Sequence, residues 1–256
     1  MSTKRYGLIG RTLSHSFSRD YFTRKFEAGR IDAEYLLFEL DDISRIHKLI
    51  ASNPSLRGLN VTIPYKKTVI PFLSRLSPEA EAIGAVNTIV IGGGKDSLVL
   101  SGYNTDAPAF ASEVRAFTGL SGGKALVLGS GGASAAAVYA LNEEGWTVQV
   151  VSRGALAPGS VGYEALTPEV LRQYRLIVNC TPAGMYPDIK GMPPLPEDGI
   201  TPDHFLFDMI YNPDVTGFMA AGLKKGARVT NGAGMLRLQA ELSWQLWHAE
   251  TAYEKQ

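Results

Sequence analysis

The sequence predicts an α/β protein of two domains, and three observations carry that reading. Short apolar runs of β type alternate with longer helical stretches, the pattern of parallel sheets covered by helices. One complete strand–loop–helix–strand unit stands in the second half, between the "GLSGG" turn and Arg153. The chain has 256 residues, 45% of them apolar and 20% charged, which is enough for two modest cores.

The elements follow in order. "YGLIG" (6–10), "AEYLLFEL" (33–40), "GLNVTI" (58–63), "AVNTIVIGG" (85–93) and "SLVLSGY" (97–103) read as strands. Helical stretches lie between the early ones, at about 17–29 and 42–52. The second spaces Ile43, Ile46, Leu49 and Ile50 along one face. "GGGKDS" (92–97) joins two strands as a hairpin turn. A helix at 105–118 follows Asn104, and a domain boundary is expected near 101–120. Further strands are 175–181, 204–210 and 227–231, with a Pro/Gly-rich loop at 186–203. Residues 154–170 look short for a helix between strands, and the chain closes on one amphipathic helix, "GMLRLQAELSWQLWHAETAY".

Bulk properties exclude several classes. Lysine plus arginine and aspartate plus glutamate number 25 each, so no global field gathers nucleic acid or an anionic membrane. No segment approaches a membrane span, and "MSTKRYGLIGRTLSHS" holds no signal-peptide run. The single cysteine, Cys180, cannot form an internal disulfide, and a cytoplasmic location is expected. Cys180 reads as a small buried strand residue. His15, His47, His204 and His248 show no ligand spacing, so no metal is expected; His47 and His248 read as solvated helix positions.

"ALVLGSGGASAAAVYAL" is the strongest local signal. Four apolar residues make a buried strand. Gly129, Gly131 and Gly132 then let the backbone turn and approach a pyrophosphate, which the following helix meets with its free N–H groups. The third slot of the pattern holds Ser134. The next strand ends on Ser152 and Arg153, where an NAD site would carry an acid for the ribose 2′-hydroxyl. A guanidinium there suits a 2′-phosphate, which favours NADP over NAD. Two more strand ends, "NCTPAGM" and "FDMIYNP", bring Asn179, Thr181, Asp208, Met209 and Tyr211 toward the same side of a sheet.

The first half offers polar clusters for a second reactant. "LSHSFS" sets Ser14, Ser16 and Ser18 on the turn into the first helix, where serine is also a good N-cap. "NVTIPYK" ends a strand with Asn60, Thr62 and Lys66; "VNTIV" and "GYNTDA" add Asn87, Asn104, Thr105 and Asp106. Such amides and hydroxyls suit a neutral polyol. Lys66 with Asp106 would make an acid/base pair at a carbinol under oxidation, although Asp106 could also simply cap the helix after it.

In this order the motifs resemble the shikimate dehydrogenase family over nearly the whole chain. "IGRTLSHSFS" is similar to the family's H-S-x-S motif and "NVTIPYK" to its lysine motif. "GAVNT", "GYNTD", "VLGSGGASAA" and "NGAGMLRLQAELSWQLW" are similar to its later signatures. The resemblance implies reversible reduction of 3-dehydroshikimate to shikimate with NADP, on the route to chorismate and the aromatic amino acids. It implies Lys66 as the catalytic lysine with Asp106 as partner. Ser16 and Ser18 would take the substrate carboxylate, Thr62, Asn87 and Gln239 would hold the ring hydroxyls, and Tyr211 lies at another substrate position. Gly129, Ser130, Gly131, Gly132 and Ala133 match the pyrophosphate loop. Ser152 and Arg153 match the adenosine motif, and Thr181, Met209 and Gly232 further cofactor positions.

The implied architecture is a substrate domain of residues 1–101 with 235–256, and a Rossmann-like NADP-binding domain of 102–234, with the last helix returning to the first domain. The implied partner is a small-molecule substrate, with no nucleic acid, no membrane, and monomer or homodimer left open. The chain departs from the family where Arg19 and Phe22 replace a usual Pro and His. It departs again at Ser152–Arg153–Gly154, which lacks the usual Asn and Thr and leaves Arg153 as the one cationic grip. A quinate/shikimate dehydrogenase using NAD and a non-catalytic ligand sensor on the same fold are the alternatives.

Overall fold

The computed structural model describes residues 3–13, 16–93, 97–154 and 159–253. The chain forms two compact units. One runs to Thr105 and resumes at Gln239; the other is Asp106–Leu238.

The first unit contains β1 (Lys4–Gly10), α1 (Phe17–Gly29), β2 (Ala33–Glu39), α2 (Ile46–Ala51), β3 (Leu56–Val61), α3 (Tyr65–Thr68), β4 (Arg75–Leu76), α4 (Pro78–Ile83), β5 (Thr88–Gly92) and β6 (Val99–Tyr103). Its strands join in the order β2-β1-β3-β5-β6-β4. The sheet is mixed: β5 runs antiparallel to both β3 and β6. Alternating strands and helices predict parallel pairing, which β1 makes with β2 and β3. The antiparallel β5/β6 pair agrees with the turn read at 92–97, a connection too short for a crossover, and the antiparallel β3/β5 pair is the departure.

Serine caps set the starts of α1 and α4. Ser16 caps α1 by accepting the Arg19 backbone N–H at 3.4 Å. Arg19 thereby supplies a donor that a proline could not. Ser77, Pro78 and a left-handed Gly84 bound α4, which no apolar periodicity had suggested. The strand expected over 85–93 begins only at Thr88. Residues 85–87 bend away, and the Val86 N–H is taken by the Lys66 carbonyl at 2.7 Å.

Both faces of this sheet are buried, and β1 shows it by alternation. Ile9 faces a cluster with Ile46, Leu59, Val61 and Leu100. Tyr6 and Leu8 face another with Phe22, Phe26, Tyr35 and Trp247. Phe22 stacks on Tyr35 with ring centroids 4.6 Å apart, so the residue that departs from the family pattern is a core aromatic here. Trp247 lies on the last helix, α9 (Ala233–Tyr253), whose C-terminal part belongs to this unit. Its indole stacks on Tyr6 at 4.8 Å and donates to the Ile89 carbonyl at 3.0 Å. It rests directly on Gly58.

The second unit contains α5 (Asp106–Thr118), β7 (Gly123–Leu128), α6 (Gly132–Glu143), β8 (Trp146–Val151), α7 (Pro168–Leu171), β9 (Leu176–Asn179), β10 (Phe205–Asp208), α8 (Gly217–Lys224) and β11 (Arg228–Thr230). All its strands are parallel, in the order β11-β10-β9-β7-β8. The chain leaves β7 for β8 on one side and resumes at β9 on the other. The carboxyl end of β7 is therefore the switch point, where open α/β sheets bind ligands. Leu126, Leu128, Ile177, Leu206 and Phe218 form its core. Among the described residues between β8 and β9 lie a single 3-10 turn at Tyr163–Ala165 and the four-residue α7, in keeping with the short interval read there; residues 155–158 and the tip of the 92–97 turn lie outside the described residues.

A Cβ at Gly58 would stand 2.2 Å from Trp247 Nε1. Gly58→Ala is expected to destabilise the first unit by about 1–3 kcal/mol through forced displacement of the indole. Urea unfolding followed by tryptophan fluorescence checks this; an unchanged midpoint would contradict it.

Candidate active site

In the first unit, β3 delivers its polar end intact. The Thr62 N–H still bonds to Ile9 O at 2.9 Å, and the chain then turns through Pro64 into α3. Lys66, half-buried on α3, is pinned through its carbonyl by the segment that carries Asn87. Ser16 caps α1, while Ser18 is buried in the first turn of that helix. Ser14 lies outside the described residues. Farther along, Tyr21 Oη and Lys25 Nζ both reach Glu241 on α9, the lysine at 2.8 Å from each oxygen, so α1 and α9 are tied side chain to side chain.

Beneath these residues lies a layer of buried amides and hydroxyls. Asn87 Oδ1 accepts the Thr105 N–H at 2.7 Å, and Asn87 Nδ2 donates to Thr105 Oγ1 at 2.9 Å and Gln239 Oε1 at 3.5 Å. Asn104 Nδ2 donates to Ala85 O at 3.0 Å, so the two Asn-Thr segments are stitched together. Asn60 Nδ2 donates to Ser243 Oγ at 2.9 Å, and Asn60 Oδ1 accepts the Tyr35 hydroxyl at 2.8 Å. Burial pushes the Tyr35 phenol far up, while its hydrogen bond with Ser18 pulls the other way, so it stays a protonated donor. Asn87 and Gln239, distant in sequence, are thus brought together, and Asp106 follows Thr105 directly as the buried first residue of α5.

In the second unit the loop after β7 forms a cradle. Gly129 sits at φ +113°, where a Cβ would be strained and would press on the Cys180 backbone at 3.3 Å. Its carbonyl accepts the buried Ser134 hydroxyl at 2.7 Å, which holds α6 close to the strand. Gly131 opens α6 with no side-chain cap, and a Cβ there would meet nothing within 4 Å. The first N–H groups of this twelve-residue helix have no partner within the helix and receive no side-chain cap from Gly131. Beside the loop, Ser152 Oγ, just past the end of β8, is buried and has no hydrogen-bond partner among the described residues. Arg153 is exposed; its guanidinium lies near Tyr163, whose phenol is pushed up by burial and pulled back by that charge. An orphaned hydroxyl, a cation and a glycine cradle together fit the adenosine and pyrophosphate of a dinucleotide.

The neighbouring strand ends are rigid. Asp208 Oδ1 accepts from Asn179 Nδ2 and the Ile210 N–H, both at 3.0 Å, and Oδ2 accepts from Thr216 Oγ1 at 2.6 Å. Asn179 Oδ1 takes the Thr181 N–H and hydroxyl at 3.0 and 2.7 Å. The strand ladder stops there, which leaves Cys180 half-buried and just beyond β9 rather than buried within it. Met209 and Gly232 adjoin: a Cβ on Gly232 would lie 2.3 Å from the Met209 carbonyl. Tyr211, half-buried, follows two residues after Met209.

Tyr35, Thr88, Ser243, Tyr163 and Thr216 escaped sequence reasoning. Ser243 carried one usable signal, since it stands four residues after Gln239 and shares its helix face. Asp208 reads in sequence as a ligand candidate, and its bonds make it a brace. Among the described residues no group of three or more His, Cys, Asp or Glu could hold a metal ion, and no helix is long and apolar enough to cross a membrane. His47 and His248 are exposed, as the sequence suggests.

Comparison with known proteins gives a consistent result. Residues 8–89 match the model of the shikimate dehydrogenase substrate binding domain. A protein named shikimate dehydrogenase (NADP(+)) from Carboxydothermus hydrogenoformans is 38% identical over 96% of this chain and 91% of its own length. The crystal structure of shikimate dehydrogenase from Aquifex aeolicus is similar at TM-score 0.85 and 30% identity, over 96% of this chain and 93% of that one. That of shikimate 5-dehydrogenase from Thermus thermophilus, in complex with NADP(H) and shikimate, is similar at TM-score 0.83 and 32% identity, covering 96% and 94%.

Burial raises the Asp208 pKa above the ordinary 3.8, against the lowering bonds from Thr216, Ile210 and Asn179. Between those two values the folded state keeps a proton that the unfolded chain has lost, so stability falls as pH rises through the window. Wild type should therefore lose urea stability relative to Asp208→Asn on going from pH ~4 toward ~7. A gap between the two proteins that does not change with pH would contradict this.

Proposed function

Because the chain belongs to the shikimate dehydrogenase family, we propose that it catalyses the reversible, NADP-dependent reduction of 3-dehydroshikimate to shikimate in the shikimate pathway. The observation that carries the reading is the 38% identity over 96% of the chain to an NADP-dependent relative, which leaves neither unit unmatched. It is an oxidoreductase acting on a CH–OH group. Its substrate is a small molecule, and its single cysteine fits a reducing, cytoplasmic setting.

Lys66 is proposed as the acid/base. In reduction it gives a proton to the ring carbonyl oxygen; in oxidation it takes the proton from the hydroxyl. Asp106 is its proposed partner, with the role of orienting that proton transfer. The backbone bond from Val86 to Lys66 supports this assignment, because it holds the lysine and the Asn87 segment as one piece. Ser16 and Ser18 are proposed for the substrate carboxylate. Thr62, Asn87, Gln239 and Tyr211 are proposed for the ring oxygens, which amides and hydroxyls meet as donors or acceptors without adding charge.

When bound, NADPH supplies the hydride. Gly129, Ser130, Gly131, Gly132 and Ala133 would hold its pyrophosphate, and Thr181, Met209 and Gly232 would line its path. Ser152 Oγ would gain the hydrogen bond it lacks, and Arg153 would pair with the 2′-phosphate.

Two expectations follow from these roles. Lys66→Ala should lose about 10²–10⁴-fold in kcat while the shikimate Kd, read by calorimetry, stays near wild type; wild-type turnover would overturn the acid/base role. Arg153→Ala should raise KM for NADP far more than KM for NAD. An equal rise for both cofactors in steady-state assays would remove the 2′-phosphate role.

A further inference from the structure

The buried polar layer of the first unit contains residues that no assignment above uses. Ser243 Oγ is fully buried and lies within hydrogen-bonding distance of Asn60 Nδ2 (2.9 Å), Thr88 Oγ1 (2.8 Å) and Thr105 Oγ1 (3.2 Å), and it donates to Gln239 O at 2.9 Å. A hydroxyl has one proton. If that proton serves Gln239 O, Ser243 must accept from the others, so the threonine hydroxyls point toward it or toward Asn87 Oδ1.

The orientation of the amides follows from donors that cannot reverse. The Thr105 N–H can only donate, so the atom 2.7 Å from it is the Asn87 carbonyl oxygen. Asn87 Nδ2 must then face Thr105 Oγ1 and Gln239 Oε1. Gln239 in turn meets Asn87 through its oxygen, which leaves its Nε2 as the donor end. The 3.5 Å bond from Asn87 to Gln239 is the longest in the set, and it is the one that a substrate oxygen can most cheaply replace.

We propose that Ser243, with Thr88, is a positioning residue for substrate recognition: it anchors Asn60, Thr105 and the Gln239 backbone so that Asn87 and Gln239 present N–H donors to the substrate's ring oxygens. The proposal rests on the reading of this unit as the shikimate-binding one. It assigns a recognition role to a helix hydroxyl that touches no substrate. It also gives a reason for a serine at a fully buried position of α9 between Gln239 and Trp247, where its hydroxyl has partners on two strands' ends and on the helix itself.

The test uses two shape-conserving substitutions in the full chain, Ser243→Cys and Thr88→Val. Each removes a strong hydroxyl and keeps volume. The expected result is a rise of about tenfold in KM and Kd for shikimate, with kcat and KM for NADP within about twofold of wild type. A shikimate analogue lacking one ring hydroxyl supplies the second readout: its Kd should change much less between wild type and variants, because the donor that was disturbed has lost its target. A purely structural serine would lower the thermal midpoint in both variants while leaving KM for shikimate at wild type, and that outcome overturns the proposal. Equal losses on shikimate and the analogue overturn it as well. A wild type that neither binds nor oxidises shikimate overturns the reading of the unit itself, and the proposal falls with it.

Discussion

The Thr105 N–H reaching Asn87 Oδ1 at 2.7 Å orders the whole polar side of the first unit. A buried amide left to choose its partners is costly, because any mismatch strands a donor or acceptor away from water. Here a backbone donor makes the choice. It orients Asn87, Asn87 orients Gln239, and Ser243 and Asn60 brace the pair from β3 and α9. Sites that discriminate polyols need this kind of order, since a site built to bond a hydroxyl rejects its analogues mainly through the groups it would leave unpaired.

The second unit solves a different problem. For the proposed cofactor, its backbone would have to approach an anion closely, and the loop after β7 carries glycines at 129, 131 and 132 that would permit this, while the adjoining strand ends are locked. Asp208 does the locking. It carries a buried carboxylate against a desolvation cost and offsets it with three hydrogen bonds, to Asn179, Ile210 and Thr216. The rigid wall and the open loop belong together, because a cradle of N–H groups is useful only if its position is preset.

Much of this was legible in the chain. The span of α1 could be read from Ser16 onward, and the loop around Gly129 from its glycines, because capping and positive φ are decided within a few residues. The lysine, asparagine and glycine motifs stand in a fixed order that any reader of the sequence meets. Less legible were β4 and α4, which are two and six residues long and carry too little periodicity to stand out. The antiparallel run of β5 against β6 was legible from the hairpin turn at 92–97, whereas its antiparallel pairing with β3 was hidden, since the apolar pattern of a strand does not record which neighbour it takes.

What the sequence determined by itself is therefore the set of local decisions: where helices start, which turn can bend toward a phosphate, which lysine follows which strand. Tertiary structure decided the rest. It placed Gln239 against Asn87 at a sequence separation of 152 and Asn60 against Ser243 at a separation of 183. It pressed Trp247 onto a glycine and converted Asp208 from a plausible ligand into a brace. Such pairings depend on register and burial over the full length of the chain. The free energy that selects them comes from satisfying buried groups together, and no short stretch of residues contains that information.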